Sequence, residues 1–480
     1  MTAGVQCDAK PTDCGSWAPP TSPRAHLVGI AGSGMRALAD VLLGRGWRIG
    51  GSDLTLDPVE QLVAAGVQLR GGHAAEHLPE QTDLVVYSDA VAADNPELQR
   101  AAELGIPALS YFEMIGRLTA DSHTLAVAGT HGKSTTTAMA AAVLTDAGCD
   151  PTVFCGATPL GKFSGGRAGN DRVTVVEACE YRENFLHLRP RQAAILGIEP
   201  DHFDYFHSRG QLEAAFAQFA HLVPSDGLVL ARHDCPVTRR VAADLPCRVA
   251  TLGTLAAADW SVGCLVARRG RYTFEIRRRR QPVCEVNLQM PGRHNVLNAL
   301  AAAAMAWEYG VQPGCIGDAL SRFRGLHRRL QLRGNQGGAA VIDDYAHHPT
   351  EVTATLKTVR RMYAGRRVWC VFQPHQVSRT ERLLDELAES LQNADRVLVA
   401  EIFRAREGAP KSGEVAAVDL ARAVRRLGTN VPEVHSIGEI VRLLQEQLAP
   451  GDVLVTLGAG DIGRVADEFA HRFRKDRAAG

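Results

Sequence analysis

Residues 125–144 read LAVAGTHGKSTTTAMAAAVL. A short apolar run, Leu125 to Ala128, stops at Gly129; small, polar and basic residues follow, and an alanine-rich helical pattern then begins. A strand that hands over to a helix through a glycine-containing turn builds an anion site. Backbone N–H groups of the turn and the positive end of the helix point at one place. Lys133 adds a point charge for terminal phosphates, and Ser134 offers a hydroxyl to a magnesium ion. Val127 occupies the position where the general P-loop pattern has its first glycine, so the motif is the shorter G-T-H-G-K-S. A bare GKS also suits an exposed turn; the strand before it and the helix after it favour a nucleotide phosphate.

The composition sets the frame around this turn. A chain of 480 residues exceeds one ordinary core, and its length suggests about three domains. Apolar residues make up 45% and charged residues 22%, as in an ordinary globular protein. Lysine plus arginine balance aspartate plus glutamate at 53 each, so no global charge points to nucleic acid or an anionic membrane. The run Arg277–Arg280 lacks interleaved aromatics and reads as a solvated turn. No stretch has the apolar length of a membrane span. The N-terminus, MTAGVQCDAKPTDCGSWAPPTSP, has neither the basic nor the apolar region of a signal peptide, so a disordered leader over 1–24 and a cytoplasmic location are expected. The eleven cysteines are scattered without C-x-x-C or zinc spacing and read as thiols. Cys7 and Cys14 alone make a weak metal pair.

Three alternating segments follow the leader. From His26, HLVGI, WRIGGSD and TDLVVYS read as strands with helical text between them, which implies a parallel sheet wrapped by helices. The first turn, GIAGSGM, has Gly29, Gly32 and Gly34, but Ala31 breaks the G-x-G-x-x-G dinucleotide fingerprint. A diphosphate at the helix start, with Asp53 near a sugar, still suits it. A nicotinamide dehydrogenase is disfavoured, since it would leave the phosphate turn unexplained. The second segment starts near Ser122, and a third follows LHRRLQLRGNQGG. In the second, Glu177 ends the strand RVTVVE, and His202 follows AAILGI. Ligands of parallel α/β sheets gather at the carboxyl ends of strands. Glu177 and Ser134 are therefore natural magnesium ligands, and His202 a less natural one for so hard an ion. Each alone would read as an ordinary polar residue; together beside a phosphate turn they form a set.

The motifs GIAGSGM, GTHGKST, EACEY, IEPDHFDYF, GRHNVLNALAA, HRRLQLRG, DDYAHHPTEV, FQPHQVSRT and LGAGDI occur in the order and spacing of the Mur ligases, which the chain resembles from about His26 onward. The resemblance implies an α/β protein of three domains: a Rossmann-like UDP-sugar domain at 25–120, a central P-loop ATPase-like domain at 121–333 and a Rossmann-like amino-acid domain at 334–480. It implies an ATP-dependent ligase joining L-alanine to the lactyl carboxylate of UDP-N-acetylmuramate through an acyl phosphate. Magnesium would be the cofactor, with manganese as a substitute. No nucleic acid or membrane partner is implied, and a monomer or weak homodimer is expected.

Carried over residue by residue, the resemblance assigns Gly32, Ser33, Gly34, Met35, Asp53, His73 and Ser88 to the UDP-sugar. Gly129, Thr130, His131, Gly132, Lys133, Ser134 and Thr135 would wrap ATP, with His294, Asn295 and Asn298 by the adenosine. Arg328 or Arg329 would reach the phosphates and Asp344 would close over them. Ser134, Glu177 and His202 would hold the metal; Lys133, Glu177, His202 and Arg329 would carry catalysis. Tyr345, His375 and Arg379 would meet the amino acid, Arg379 through its bidentate fork. His202, His347 and His375 are all open as acceptors of the amine proton. The chain departs from the family at Gly197, at Asp89 and in the stretch YRENF. A ligase that attaches a recycled peptide to the same sugar nucleotide and a non-catalytic UDP-sugar or ATP-binding regulator are the alternatives. Preference among alanine, glycine and serine stays open.

Overall fold

The computed structural model describes residues 22–478 except 58, 163, 337, 406, 410 and 430–433. Residues 1–21, most of the expected leader, lie outside the described residues, and the first strand already begins at Arg24. Contacts divide the chain into two compact units, one of Leu42–Leu109 with the chain before Gly32, the other of Gly32–Val41 with the chain from Ser110 on.

The first sheet holds β1 (Arg24–Val28), β2 (Arg48–Asp53), β3 (Gln68–Gly71), β4 (Leu84–Tyr87) and β5 (Ala108–Ser110), in the order β3-β2-β1-β4-β5. Parallel pairing of β1 with both β2 and β4 makes the end of β1 a switch point. The glycine turn after Val28 opens there, with Asp53 at the end of β2 and Ser88 just past β4.

The second sheet is built on β6 (His123–Ala128), β7 (Thr152–Phe154), β8 (Gly166–Arg167), β9 (Val173–Glu177), β10 (Gln192–Ile195), β11 (Leu228–Arg232) and β12 (Arg248–Leu252). β13 (Trp260–Arg268), β14 (Arg271–Arg278) and β15 (Gln281–Leu288) extend it as an antiparallel meander, giving the order β15-β14-β13-β12-β11-β10-β6-β9-β7-β8. The expected arginine turn is the β14–β15 hairpin, with Arg279 and Arg280 both at positive φ. β6, β9 and β10 are buried almost throughout, the pattern of strands covered on both faces. Their register is what builds the site. Val127 pairs with Glu177 and Ala128 with Ile195, so three strands end level with the phosphate turn. Helix Lys133–Asp146 packs against helix Arg293–Tyr309. Alanines on both lie in one core with Leu125, Val127, Met139 and Val296.

The third sheet joins β16 (Gln331–Gln336), β17 (Ala339–Asp344), β18 (Val368–Phe372), β19 (Arg396–Val399) and β20 (Val453–Leu457) in the order β16-β17-β20-β18-β19, only β16 running antiparallel. Apolar clusters cover both faces, one around Val352, Leu356 and Phe372, the other around Trp369, Ile440 and Val465. Among the described residues no helix is long and apolar enough to cross a membrane.

Helix Tyr111–Leu118 carries Gly116 against the backbone of the segment Tyr181–His187; a Cβ there would stand 2.4 Å from the His187 carbonyl oxygen. Alanine for glycine in a helix interior ordinarily stabilises by about 0.5–1 kcal/mol. Here the backbones must separate, so Gly116→Ala is expected to destabilise by about 1–3 kcal/mol. A denaturant titration measures the sign.

Candidate active site

In the N-terminal unit, Asp53 Oδ2 accepts the Ala31 N–H at 2.9 Å, which ties the end of β2 to the glycine turn. Gly29, at φ +84°, lies so near Ser88 that a Cβ would stand 3.0 Å from the serine Cβ. His73 is anchored by Nδ1, 2.7 Å from Glu97 Oε1 and 3.0 Å from Ser52 Oγ. Glu97 is fully buried and also receives His26 Nε2 at 2.5 Å and Ser52 Oγ at 2.6 Å. Burial would raise its pKa; the bonds from His26, Ser52 and His73 outweigh that and hold it below the usual carboxylate range. In the other unit, Gly32 precedes helix Ser33–Gly44, where its carbonyl accepts the Arg36 N–H at 2.9 Å and Met35 is buried.

The phosphate turn owes its shape to two glycines at positive φ, Gly129 at +130° and Gly132 at +81°. Side chains are excluded there: a Cβ on Gly132 would meet Asn298 Oδ1 at 2.4 Å. Lys133 Nζ donates to the carbonyls of Gly129 at 2.6 Å and Thr130 at 3.2 Å, and to Glu180 Oε1 at 3.0 Å. Burial disfavours the ammonium, yet Glu180 overrides this and its pKa rises. Ser134 Oγ donates to Glu177 Oε1 at 2.9 Å, and Glu177 Oε2 accepts the Gly156 N–H at 2.7 Å. Thr130 Oγ1 and the Glu199 backbone exchange bonds of 3.0 and 2.9 Å. Gly197 takes φ +147°, where glycine is favoured, and its carbonyl accepts the Thr130 N–H at 2.9 Å. His202 sits at φ +54° with Nε2 3.7 Å from Glu180 Oε1, while its buried Nδ1 makes no hydrogen bond to a described residue. The Ser134 hydroxyl and the Glu177 carboxylate are oxygen donors that fit Mg²⁺ beside phosphates, and the His202 imidazole nitrogen suits so hard an ion less.

A cavity of about 230 Å³ opens beside this turn. Its lining includes His131, Gly132, Thr135, His294, Asn295 and Asn298 from the central segment, Arg329 from the stretch just before β16, and Asp344 and Glu351 from the third segment. Asn298 Nδ2 donates to Asn295 Oδ1 at 3.0 Å, and Asn295 Nδ2 to the Pro291 carbonyl at 2.7 Å, which fixes both amides. Burial lowers the pKa of His294 to about 4 and raises that of Asp344 to about 6. Arg329 lies over the Tyr345 ring at 4.9 Å. Arg328 faces elsewhere: it is not part of the lining and donates to the carbonyls of Gly458 and Gly460 at 2.6 and 3.0 Å. Arg379 is buried, with Nε 2.8 Å from Asp201 Oδ1 and Nη1 2.8 Å from His375 Nδ1. Burial alone would raise the Asp201 pKa; Arg379 drives it well below the carboxylate range.

Four acidic residues escaped the sequence reading. Glu180 holds Lys133, Asp201 holds Arg379, and Glu199 and Glu351 flank His131 at 3.4 and 3.1 Å. All four stand within quoted motifs, Glu180 in EACEY, Glu199 and Asp201 in IEPDHFDYF and Glu351 in DDYAHHPTEV, and that position was their only local signal.

Burial opposes charge on His131, but Glu351 and Glu199 outweigh it and raise the pKa to about 9. A free imidazole titrates near 6.5, so this network's contribution is complete below about pH 6.5 and is lost as pH rises through about 9. The melting temperature is expected to fall over that interval, and the fall to flatten in His131→Gln; calorimetry in matched buffers checks it.

Comparison with known proteins accords with this geometry. Family models match three consecutive regions: the Mur ligase family catalytic domain over residues 24–123, the Mur ligase middle domain over 127–306 and the Mur ligase glutamate ligase domain over 328–460. The chain is 38% identical to the UDP-N-acetylmuramate–L-alanine ligase of Clostridium novyi, over 93% of this chain and 97% of that one. It is 41% identical to the enzyme of that name from Salinibacter ruber, over 94% and 95%. Among solved structures it is similar to the UDP-N-acetylmuramate–alanine ligase MurC of Thermotoga maritima, with TM-score 0.80 and 28% identity over 94% of this chain and 99% of that one. It is also similar to a murein peptide ligase from Psychrobacter arcticus, with TM-score 0.72 and 27% identity over 94% and 99%. With three family models in register along the chain and relatives above the 30% level over nearly its whole length, the chain belongs to the Mur ligase family.

Proposed function

We propose that this protein is an ATP-dependent ligase that joins L-alanine to the lactyl carboxylate of UDP-N-acetylmuramate in peptidoglycan precursor synthesis. The observation that carries the reading is the meeting of Lys133, Ser134 and Glu177 at level strand ends, beside a cavity shared with Arg329 and Asp344. The shared name of relatives at 34–41% identity supports the substrates.

A carboxylate is a poor electrophile because an amine does not displace oxide. Transfer of the ATP γ-phosphoryl group to it creates an acyl phosphate, whose leaving group is phosphate. The amine then adds to the carbonyl carbon, the C–O bond to phosphate breaks with its electron pair, and the amine surrenders a proton. Phosphoryl transfer asks mainly for position and charge neutralisation. The N–H groups of Gly129 to Thr135 and the helix start hold the phosphates, and Lys133 exchanges Glu180 for the γ-phosphate. Ser134, Glu177 and His202 would hold Mg²⁺, which supplies charge neutralisation on the phosphates when bound. His294, Asn295 and Asn298 hold the adenosine, and Arg329 turns its cation on the transferred group. Arg379 receives the alanine carboxylate beside His375 and Tyr345, held in place by Asp201. In the N-terminal unit, Asp53, His73 and Ser88 bind the UDP-sugar. A ligand pocket ordinarily occupies about 300–1,000 Å³. The cavity is smaller, so ATP entry parts His131 from Glu351 and Thr350 from Glu199.

Phosphate release from Mg-ATP with UDP-N-acetylmuramate tests this, with L-alanine, glycine, L-serine or a tripeptide as acceptor. Release that needs both the sugar nucleotide and L-alanine is expected. Dependence on the tripeptide would make the protein a peptide-recycling ligase, the reading that the Psychrobacter arcticus likeness keeps in play. Sugar-nucleotide binding without release would make it a regulator. Lys133→Ala is expected to lower kcat about a thousandfold, as loss of a transition-state charge partner does. Arg379→Lys keeps charge but loses the fork; KM for alanine is expected to rise about 10–100-fold with KM for ATP little changed.

A further inference from the structure

His131, Glu199 and His348 come from separate places: the phosphate turn, the segment after β10 and the cap of helix Pro349–Met362. Their ligand atoms all lie within 4.8 Å of one another. Glu199 Oε2 is 3.4 Å from His131 Nε2 and 3.9 Å from His348 Nδ1. Ligands on a tetrahedral zinc at about 2.0–2.1 Å stand about 3.3 Å apart, so the two Glu199 edges need small shifts and the His131–His348 edge, at most 4.8 Å, shortens by up to about 1.5 Å to close this triangle on an ion.

The outer partners orient both rings. His131 Nδ1 faces Glu351 Oε1 at 3.1 Å, and His348 Nε2 faces the Pro200 carbonyl at 3.3 Å. Both acceptors bind a ring N–H, which leaves the other nitrogen of each ring towards Glu199. A carboxylate or carbonyl on the far nitrogen is the ordinary support of a metal-bound histidine. Thr350 Oγ1 steadies Glu199 Oε2 at 2.6 Å. His131 Nε2 is buried and makes no hydrogen bond to a described residue. The contact that an ion would displace is the long one, 3.3 Å, from the Thr350 N–H to His348 Nδ1.

We propose that His131, Glu199 and His348 bind one divalent transition-metal ion of the Zn²⁺ or Co²⁺ class, at a site made of other side chains than Ser134, Glu177 and His202. Two imidazoles and one carboxylate suit such an ion better than Mg²⁺, which keeps oxygen ligands and waters. The bound ion ties the phosphate turn to the segment that bears His348, across the cavity that both line with Glu199 and Glu351.

The test is Co²⁺ titration of the full chain in excess Mg²⁺ without nucleotide, followed by visible absorption and calorimetry. No substrate is present, so the result is independent of the ligase reading. One Co²⁺ per chain with four-coordinate absorption is expected. His348→Asn keeps a helix-capping acceptor but removes the imidazole. It and Glu199→Gln are each expected to weaken binding at least tenfold, and Glu351→Gln by about 10–100-fold. Metal-free melting reports the folding of each variant, and Glu199→Gln decides if His348→Asn does not fold. Absence of saturable binding overturns the proposal. So does unchanged affinity in the folded variants, or affinity lost only in His202→Ala.

Discussion

The buried ammonium of Lys133 needs a negative partner, and that requirement organises the centre of the protein. An ion taken out of water costs several kcal/mol unless another charge and hydrogen bonds compensate it. Glu180, itself almost fully buried, supplies the charge, and two carbonyls of the phosphate turn supply the bonds. The pattern repeats at Arg379 with Asp201 and at His131 with Glu351 and Glu199. Each cation suited to an anionic ligand already faces a carboxylate. On the proposed function, a phosphate or amino-acid carboxylate would replace one anion by another, with no uncompensated charge exposed to a dry site. Such an exchange would lower the net gain on binding but leave each cation aimed before the ligand arrives.

The level strand ends let these charges meet. β6 lies between β9 and β10, so the chain after each strand emerges around one turn. Glu177 and Glu180 follow β9, Glu199 to His202 follow β10, and the phosphate turn follows β6. Hydrophobic strands with no role in binding hold polar loops at distances of a hydrogen bond. Gly197 belongs to the same device. Its extended, positive-φ backbone lets the carbonyl reach the Thr130 N–H, so a residue that departs from the family pattern still serves the turn.

Much of this was legible in the sequence wherever the signal is local. The strand, glycine turn and helix of 123–146 announce themselves by composition, and Lys133 and Ser134 by their place in the turn. Glu177 could be found because it terminates an apolar strand. Glu351 was not: it stands inside the motif DDYAHHPTEV, but its partner His131 is 220 positions away, and helical spacing alone does not distinguish it from a solvated helix acid. Asp201 and Glu180 were hidden differently. They sit within two or three residues of more conspicuous groups, and an acid's significance lies in which cation tertiary packing gives it. The domain boundaries 25–120, 121–333 and 334–480 came with the family resemblance, and the three sheets occupy 24–110, 123–288 and 331–457.

Arg328 and Arg329 show the same limit at finer grain, and β17 resolves it. Successive residues of a strand point to opposite faces. Asp343 turns towards Thr456 Oγ1, 2.8 Å away in the neighbouring strand, and stands 3.4 Å from the Arg328 guanidinium. Asp344 turns towards helix Pro349–Met362, accepts Thr355 Oγ1 at 2.9 Å and lines the cavity. The two arginines follow the two aspartates. Arg328 stays with Asp343 and braces the Gly458–Gly460 loop, while Arg329 enters the cavity with Asp344 and Glu351. Both guanidinium groups lie over the Tyr345 ring, Arg328 at 5.3 Å and Arg329 at 4.9 Å from its centre. A pair of identical adjacent side chains thereby acquires two roles from the alternation of a strand: one holds the third sheet together and the other charges the cavity.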